Sequence, residues 1–86
     1  GDEARKKYNI ANEISGVMVS SVEPASAAEE RGIRPGDIIS EANQMQIKDI
    51  GDLKDVIKAA KKDKRKSILL FVNRQNDSIF IALPIE

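Results

Sequence analysis

Between residues 26 and 40 the chain reads Ser-Ala-Ala-Glu-Glu-Arg-Gly-Ile-Arg-Pro-Gly-Asp-Ile-Ile-Ser, a stretch that leaves the backbone little choice. Ser26 is suited to cap a helix and Glu29, three residues on, to complete a capping box. Gly32 supplies the left-handed residue that ends a helix, so the helix is confined to about one turn finishing by Arg31. Pro35 fixes φ at the first central position of a turn and Gly36 accepts positive φ at the second, which makes Arg34-Pro35-Gly36-Asp37 a type II turn. The β-branched pair Ile38-Ile39 must then enter a sheet. A small helix, a stop, a corner and a central strand are therefore expected, and the rest of the chain has to be arranged around them.

At 86 residues the chain is long enough for one domain over residues 1–86, near the lower end of what folds alone, burying roughly 60% of its unfolded surface. Hydrophobic residues make up 41% but aromatics only 3%. The interior must therefore be built from Ile, Leu, Val and Ala, with Tyr8, Phe71 and Phe80 as the only aromatics.

Composition also narrows the function classes. Lys and Arg number 14, as do Asp and Glu, which leaves no overall field to attract nucleic acid or an anionic membrane. No run approaches the ~18 apolar residues of a membrane-spanning helix, and Gly1-Asp2-Glu3-Ala4-Arg5 has no apolar signal core, so direct membrane insertion is not expected. The chain contains neither cysteine nor histidine. That removes disulfides, thiol nucleophiles, the commonest general base and the commonest zinc ligand, and no metal or cofactor is expected. There is no Gly-x-Ser-x-Gly elbow, no Ser-x-x-Lys pair and no Asp-x-Asp-x-Asp-Gly loop, and the Glu29-Glu30 pair reads as a solvated helix face. The chain is read as having no catalytic residues of its own.

Taken in order, residues 2–9 lead with acids and follow with bases, as a helix dipole favours, and a short helix packing Tyr8 and Ile10 onto the domain is expected. Gly16-Val-Met-Val-Ser-Ser-Val22 predicts a strand beginning directly after a glycine, with Val17 and Val19 on one face; Glu23-Pro24-Ala25 breaks it. After the corner the central strand runs to about Ala42, Asn43-Gln44 turns the chain, and Met45-Gln46-Ile47 makes a brief edge piece. Asp49 with Asp52 resembles a capping box opening a helix from about Ile50 to Lys61. Its apolar residues, Ile50, Leu53, Val56, Ile57, Ala59 and Ala60, form a stripe broad enough for a core contact and one contact more. The basic run from Lys61 to Lys66 lies at a helix C-terminus, where positive charge is mildly stabilising, and no aromatic platform interleaves it to make a nucleic-acid site. Residues 67–74 and 78–85 are apolar runs of strand length, joined by polar Gln75-Asn76-Asp77 into a hairpin. Ile79, Ile81, Leu83 and Ile85 fall on one face of the last strand and Phe80 and Ala82 on the other.

This order of elements resembles a PDZ domain of the circularly permuted bacterial arrangement, closest to the HtrA (Do-like) serine proteases. The resemblance rests on Gly16-Val-Met-Val, Glu23-Pro24-Ala25-Ser26-Ala27-Ala28, the segment from Gly32 to Ile39, Asn43, and Asp49-Ile50-Gly51-Asp52-Leu53; Gln44 stands where the family usually has glycine. It implies an α+β fold, a small partly open β-barrel or sandwich with two to three helices. It also implies a function: binding the C-terminus of an extended peptide, which adds a strand to the sheet while backbone N–H groups of a loop hold its carboxylate. In the permuted family that loop and the peptide-pairing strand lie upstream of the first helix. No Gly-containing apolar segment of that kind is found here, so the N-terminal pairing strand is expected to be truncated and the groove to keep its helix wall.

Carried over onto this helix, the resemblance assigns Ile50, Lys54 and Ile57 to the groove and Leu53, Val56 and Ala60 to the core. The apolar pair flanking a lysine suits peptides or unfolded proteins with apolar C-termini. The implied parent is a periplasmic serine endopeptidase of the bacterial envelope whose catalytic residues lie outside this chain, with the domain recruiting or sensing such segments. The alternatives are a structural module of the same fold that assembles an oligomer, with self-association through an open groove, and a PDZ domain of another membrane-associated or processing protease or of secretion machinery.

Overall fold

Ser26 caps the helix that follows it: its Oγ accepts from the Glu29 N–H at 3.2 Å and donates to the Glu23 carbonyl at 2.7 Å. Glu29 reaches back, but to the N–H of Ala25 at 3.1 Å, one residue before the cap. The resulting helix, α1, is Ala27–Glu30. It stops in a Schellman arrangement, with Gly32 N–H on the Glu29 carbonyl and Ile33 N–H on the Ala28 carbonyl, both 3.0 Å, and Gly32 at φ +91. That left-handed residue lets the chain reverse so that Ile33 buries against the core. Gly36 sits at φ +93 and Asp37 N–H returns to the Arg34 carbonyl at 3.1 Å, which is the expected turn. The corner delivers the chain into β2, Ile38–Ala42.

The structure is a computed structural model and describes residues 15–75 and 77–86. The helix expected over residues 2–9, with Tyr8 and Ile10, lies outside the described residues, as does Asn76 of the hairpin loop. The other elements are β1 (Val17–Met18), β3 (Met45–Gln46), α2 (Ile50–Lys62), β4 (Ser67–Arg74) and β5 (Asp77–Pro84). The strands form one antiparallel sheet in the order β1-β2-β4-β5, with β3 paired to β2. β1 and β3 thus share one side of β2, and β4 takes the whole of the other. Among the described residues the sheet does not close into a barrel, and two helices are present.

β4 shows why the core sits where it does. Ile68, Leu70 and Val72 alternate toward α2 and are essentially without solvent contact, each contributing on the order of 1.5–3 kcal/mol relative to exposure. They join Ile33, Ile39, Ala42, Ile47, Ala60 and Ile81, with Leu53, Val56, Ile57, Ile79, Leu83 and Ile85 packed around them. Phe80 and Ala82 face away, as the alternation along β5 predicts.

Three local departures have physical causes. The strand expected over residues 16–22 pairs regularly only at Val17 and Met18. Val19 still bonds to the Asp37 carbonyl at 2.8 Å and accepts from Gly36 at 2.7 Å, but there its partner is the corner rather than a strand. The hairpin loop is tighter than expected, because Arg74 already pairs with Asp77. Asn43 and Gln44 both adopt positive φ, +50 and +66. Asn43 is held there by a two-way contact with Leu69: its N–H donates to the Leu69 carbonyl at 2.7 Å and its Oδ1 accepts from the Leu69 N–H at 2.8 Å.

Candidate functional site

The strongest charge constellation is at the corner. Asp37 is 1% exposed, yet its carboxylate is fully engaged. Arg74 Nε donates to Oδ1 and an Arg74 terminal nitrogen to Oδ2, both at 2.8 Å, and the Arg34 N–H adds a bond to Oδ2 at 2.9 Å. The same terminal nitrogen reaches the Gly32 carbonyl at 2.7 Å. The hydrogen bonds that Arg74 donates to Asp37 are the main cause that raises the Arg74 pKa above its already high value, against a smaller opposing effect of burial. Arg74 therefore stays charged across any working pH, and the pair acts as a clamp joining the end of α1, the turn and the last residue of β4. Such a fully matched pair has no capacity left for acid–base work. Sequence reading missed it, although an arginine closing an otherwise apolar strand run was a usable cue.

Helix α2 is built differently. Asp49 caps it through Oδ1 on the Asp52 N–H at 2.9 Å, and Asp52 Oδ2 accepts from the Lys48 N–H at 2.9 Å, so both ends of the capping pair are used. At the other end Lys64 takes φ +60, with Lys64 N–H on the Lys61 carbonyl and Arg65 N–H on the Ala60 carbonyl, a second Schellman stop that uses lysine where glycine is easiest. This fixes the helix in rotation. Ala60 is buried, and Leu53, Val56 and Ile57 are half-buried against the sheet. Ile50 is 53% exposed, and Lys54 is exposed beside it.

The residues assigned to a groove therefore have unlike settings. Ile50 and Lys54 stand in solvent at the start of α2, while Ile57 shares the core with Leu53 and Val56. Among the described residues β1, whose Val17 and Val19 pack on the same core, is at the edge of the sheet. An edge strand can take an added strand, whose backbone pairs with the edge.

Two further recesses lie away from Ile50, Lys54 and Ile57. One of about 560 Å³ on the opposite flank of α2 includes Met45, Val56, Ala59, Asp63 and Leu69 in its lining. Another of about 430 Å³ is lined by Glu41, Gln44, Leu69, Phe71 and Phe80, the two rings having centroids 5.0 Å apart. Among the described residues there is no cluster of three or more acidic, His or Cys side chains that could hold a metal ion. No helix of the described residues is long and apolar enough to cross a membrane.

Residues 18–74 match the family model of the PDZ domain. The chain is 40% identical over 88 residues to a probable periplasmic serine endoprotease DegP-like of Bartonella henselae, an alignment spanning 98% of this chain and 18% of that protein. It is 46% identical over 70 residues to the protein of that description in Brucella suis, covering 81% of this chain and 14% of the relative. The chain thus spans less than a fifth of the length of these relatives. Among solved structures, the crystal structure of the HtrA3 PDZ domain bound to a phage-derived ligand (FGRWV) superposes with a TM-score of 0.71 at 30% identity, over 81% of this chain and 62% of that one.

Proposed function

The chain belongs to the PDZ family, and from that premise we propose that it is the module by which a periplasmic serine endoprotease recruits polypeptides with apolar C-terminal segments. The incoming segment lies extended along the β1 side of the sheet and sets its apolar side chains against Ile50 and Ile57 of α2, with Lys54 beside a carboxylate or acidic neighbour. Backbone pairing supplies affinity that ignores sequence, and the helix side chains supply selectivity. The observation that carries this reading is the exposure of Ile50 at 53% on the first turn of a helix whose other large apolar residues, Leu53, Val56 and Ile57, pack against the core. Similarity to the DegP-like periplasmic endoproteases supports the parent and the compartment, and the FGRWV ligand of the HtrA3 PDZ domain supports the ligand class.

The test is titration of fluorescein-labelled FGRWV into the full-length protein and its Ile57→Asp variant, followed by anisotropy. The variant is expected to bind at least about tenfold more weakly, the scale of losing one apolar anchor. Undiminished binding by a variant whose circular dichroism matches the wild type would remove Ile57 from the site.

A second reading, assembly of copies through this domain, is favoured by the apolar outer side of the hairpin, where Phe80 is 68% and Leu69 41% exposed. Sedimentation of the 86-residue chain over a concentration range separates the two: a strict monomer rules assembly through this surface out.

A further inference from the structure

We infer that Ser40 and Asn73 are positioning residues for the peptide groove, acting by fixing the point at which the chain enters β1; this rests on the peptide-binding reading above. β1 is Val17–Met18, two residues long, so its backbone ladder alone holds it weakly. What secures its entry is the residue pair just before it. Gly16, at φ +141, lies so close to β2 that a Cβ there would stand 2.3 Å from the Ile39 carbonyl oxygen. Ser15, next to it, is tied down by a side chain.

That side chain is available because of a bulge. Along β2 and β4, Ile39 faces Val72 and Glu41 faces Phe71, which leaves Ser40 as the extra residue. A bulged residue is re-aimed from the regular pleat, and here the Ser40 Oγ donates to the Ser15 carbonyl at 2.9 Å. Asn73 Nδ2 donates to Ser40 Oγ at 2.7 Å, and Ser78 Oγ donates to Asn73 Oδ1 at 2.9 Å. One chain of hydrogen bonds therefore crosses the sheet from the entry of β1 through β2 and β4 to β5.

Its direction is dictated from one end. The Ser15 carbonyl only accepts, so the single Ser40 proton must go to it. The Ser40 oxygen then has to accept from Asn73, which requires the amide nitrogen on that side and turns Oδ1 toward the Ser78 hydroxyl. Reversing any member leaves two acceptors face to face. Because the segment proposed above lies along the β1 side of the sheet, displacement of Ser15 and Gly16 moves that side of the groove relative to Ile50 and Ile57. Ser40 and Asn73 touch no ligand and act through β1.

The polarity makes a sharp test. Ser40→Ala deletes the link, Ser40→Thr restores the hydroxyl, and Asn73→Asp keeps the shape but presents acceptors to both serines, drawing the Ser40 proton away from Ser15. Hydrogen-exchange mass spectrometry over residues 15–20 of the full-length protein is expected to show exchange about fivefold faster in Ser40→Ala and in Asn73→Asp, the scale of one ordinary hydrogen bond. Exchange over α2 is unchanged, and Ser40→Thr matches the wild type. FGRWV is bound about fivefold more weakly by the first two variants and normally by the third. Unchanged exchange over residues 15–20 in both variants overturns the latch, and faster exchange with undiminished FGRWV binding overturns its role in the groove. A wild-type protein that ignores FGRWV counts against the peptide-binding reading itself, while the exchange rates judge the latch separately.

Discussion

The Pro35-Gly36-Asp37 corner and the first turns of α2 answer one question in opposite ways: what has folding left unused? At the corner, nothing remains. The Asp37 oxygens are taken by Arg74 and the Arg34 N–H, and among the described residues no buried side-chain nitrogen or oxygen lacks a partner. On α2 the polar groups are equally well spent at the Asp49 cap, yet Ile50 is left more than half in solvent. The most tightly matched charges of the molecule are structural. The residues available for binding are plain aliphatic ones, whose exposure only the packing of the helix reveals.

The largest effect expected from pressing on this contrast is at the corner. Arg74→Met leaves the Asp37 carboxylate buried without its counter-ion and should lower stability by about 3–5 kcal/mol, read as a fall in the urea midpoint. A loss near that of an exposed surface pair, below about 1 kcal/mol, would show that the corner is solvated. On α2 the contrast predicts the reverse pattern. Ile50→Asp should leave the urea midpoint within about 0.5 kcal/mol of wild type, as expected for an exposed site, while weakening FGRWV binding about tenfold. Loss of stability without loss of binding would mean that Ile50 is a packing residue after all. The smallest effect belongs to the far end of the same helix. Lys64→Gly relieves a left-handed residue and should raise stability by about 1 kcal/mol, with peptide binding unchanged.

How much of this was legible in the sequence depended on the distance over which each feature is decided. The Ser26 and Asp49 caps, the Gly32 stop, the Pro-Gly turn and the alternation of β5 are each settled within about one turn or one strand, and all were readable. Asp37 was legible as a turn residue but not as a buried anion, because its partner Arg74 arrives from 37 residues away. The same holds for Ser40, whose bulge exists only in the register between β2 and β4. β1 came out shorter than its valines suggest because the corner, not a strand, sits opposite Val19. For the candidate site, the helix and its stripe were legible. How the stripe divides was not, since only the packed helix shows Ile57 half-buried against the core and Ile50 standing out of it.

The 37-residue span of the Asp37–Arg74 pair also orders events in time. The helix, its stop and the turn are specified locally and can form early, but the carboxylate at their centre gains its counter-ion only after β4 has docked along β2, a contact of high sequence separation. Without that counter-ion, taking the Asp37 carboxylate out of water is costly. The joint thus depends on a distant strand although its parts are specified locally. A cut that removes the terminal hairpin therefore leaves Asp37 without its counter-ion although the corner's own residues are all still in place.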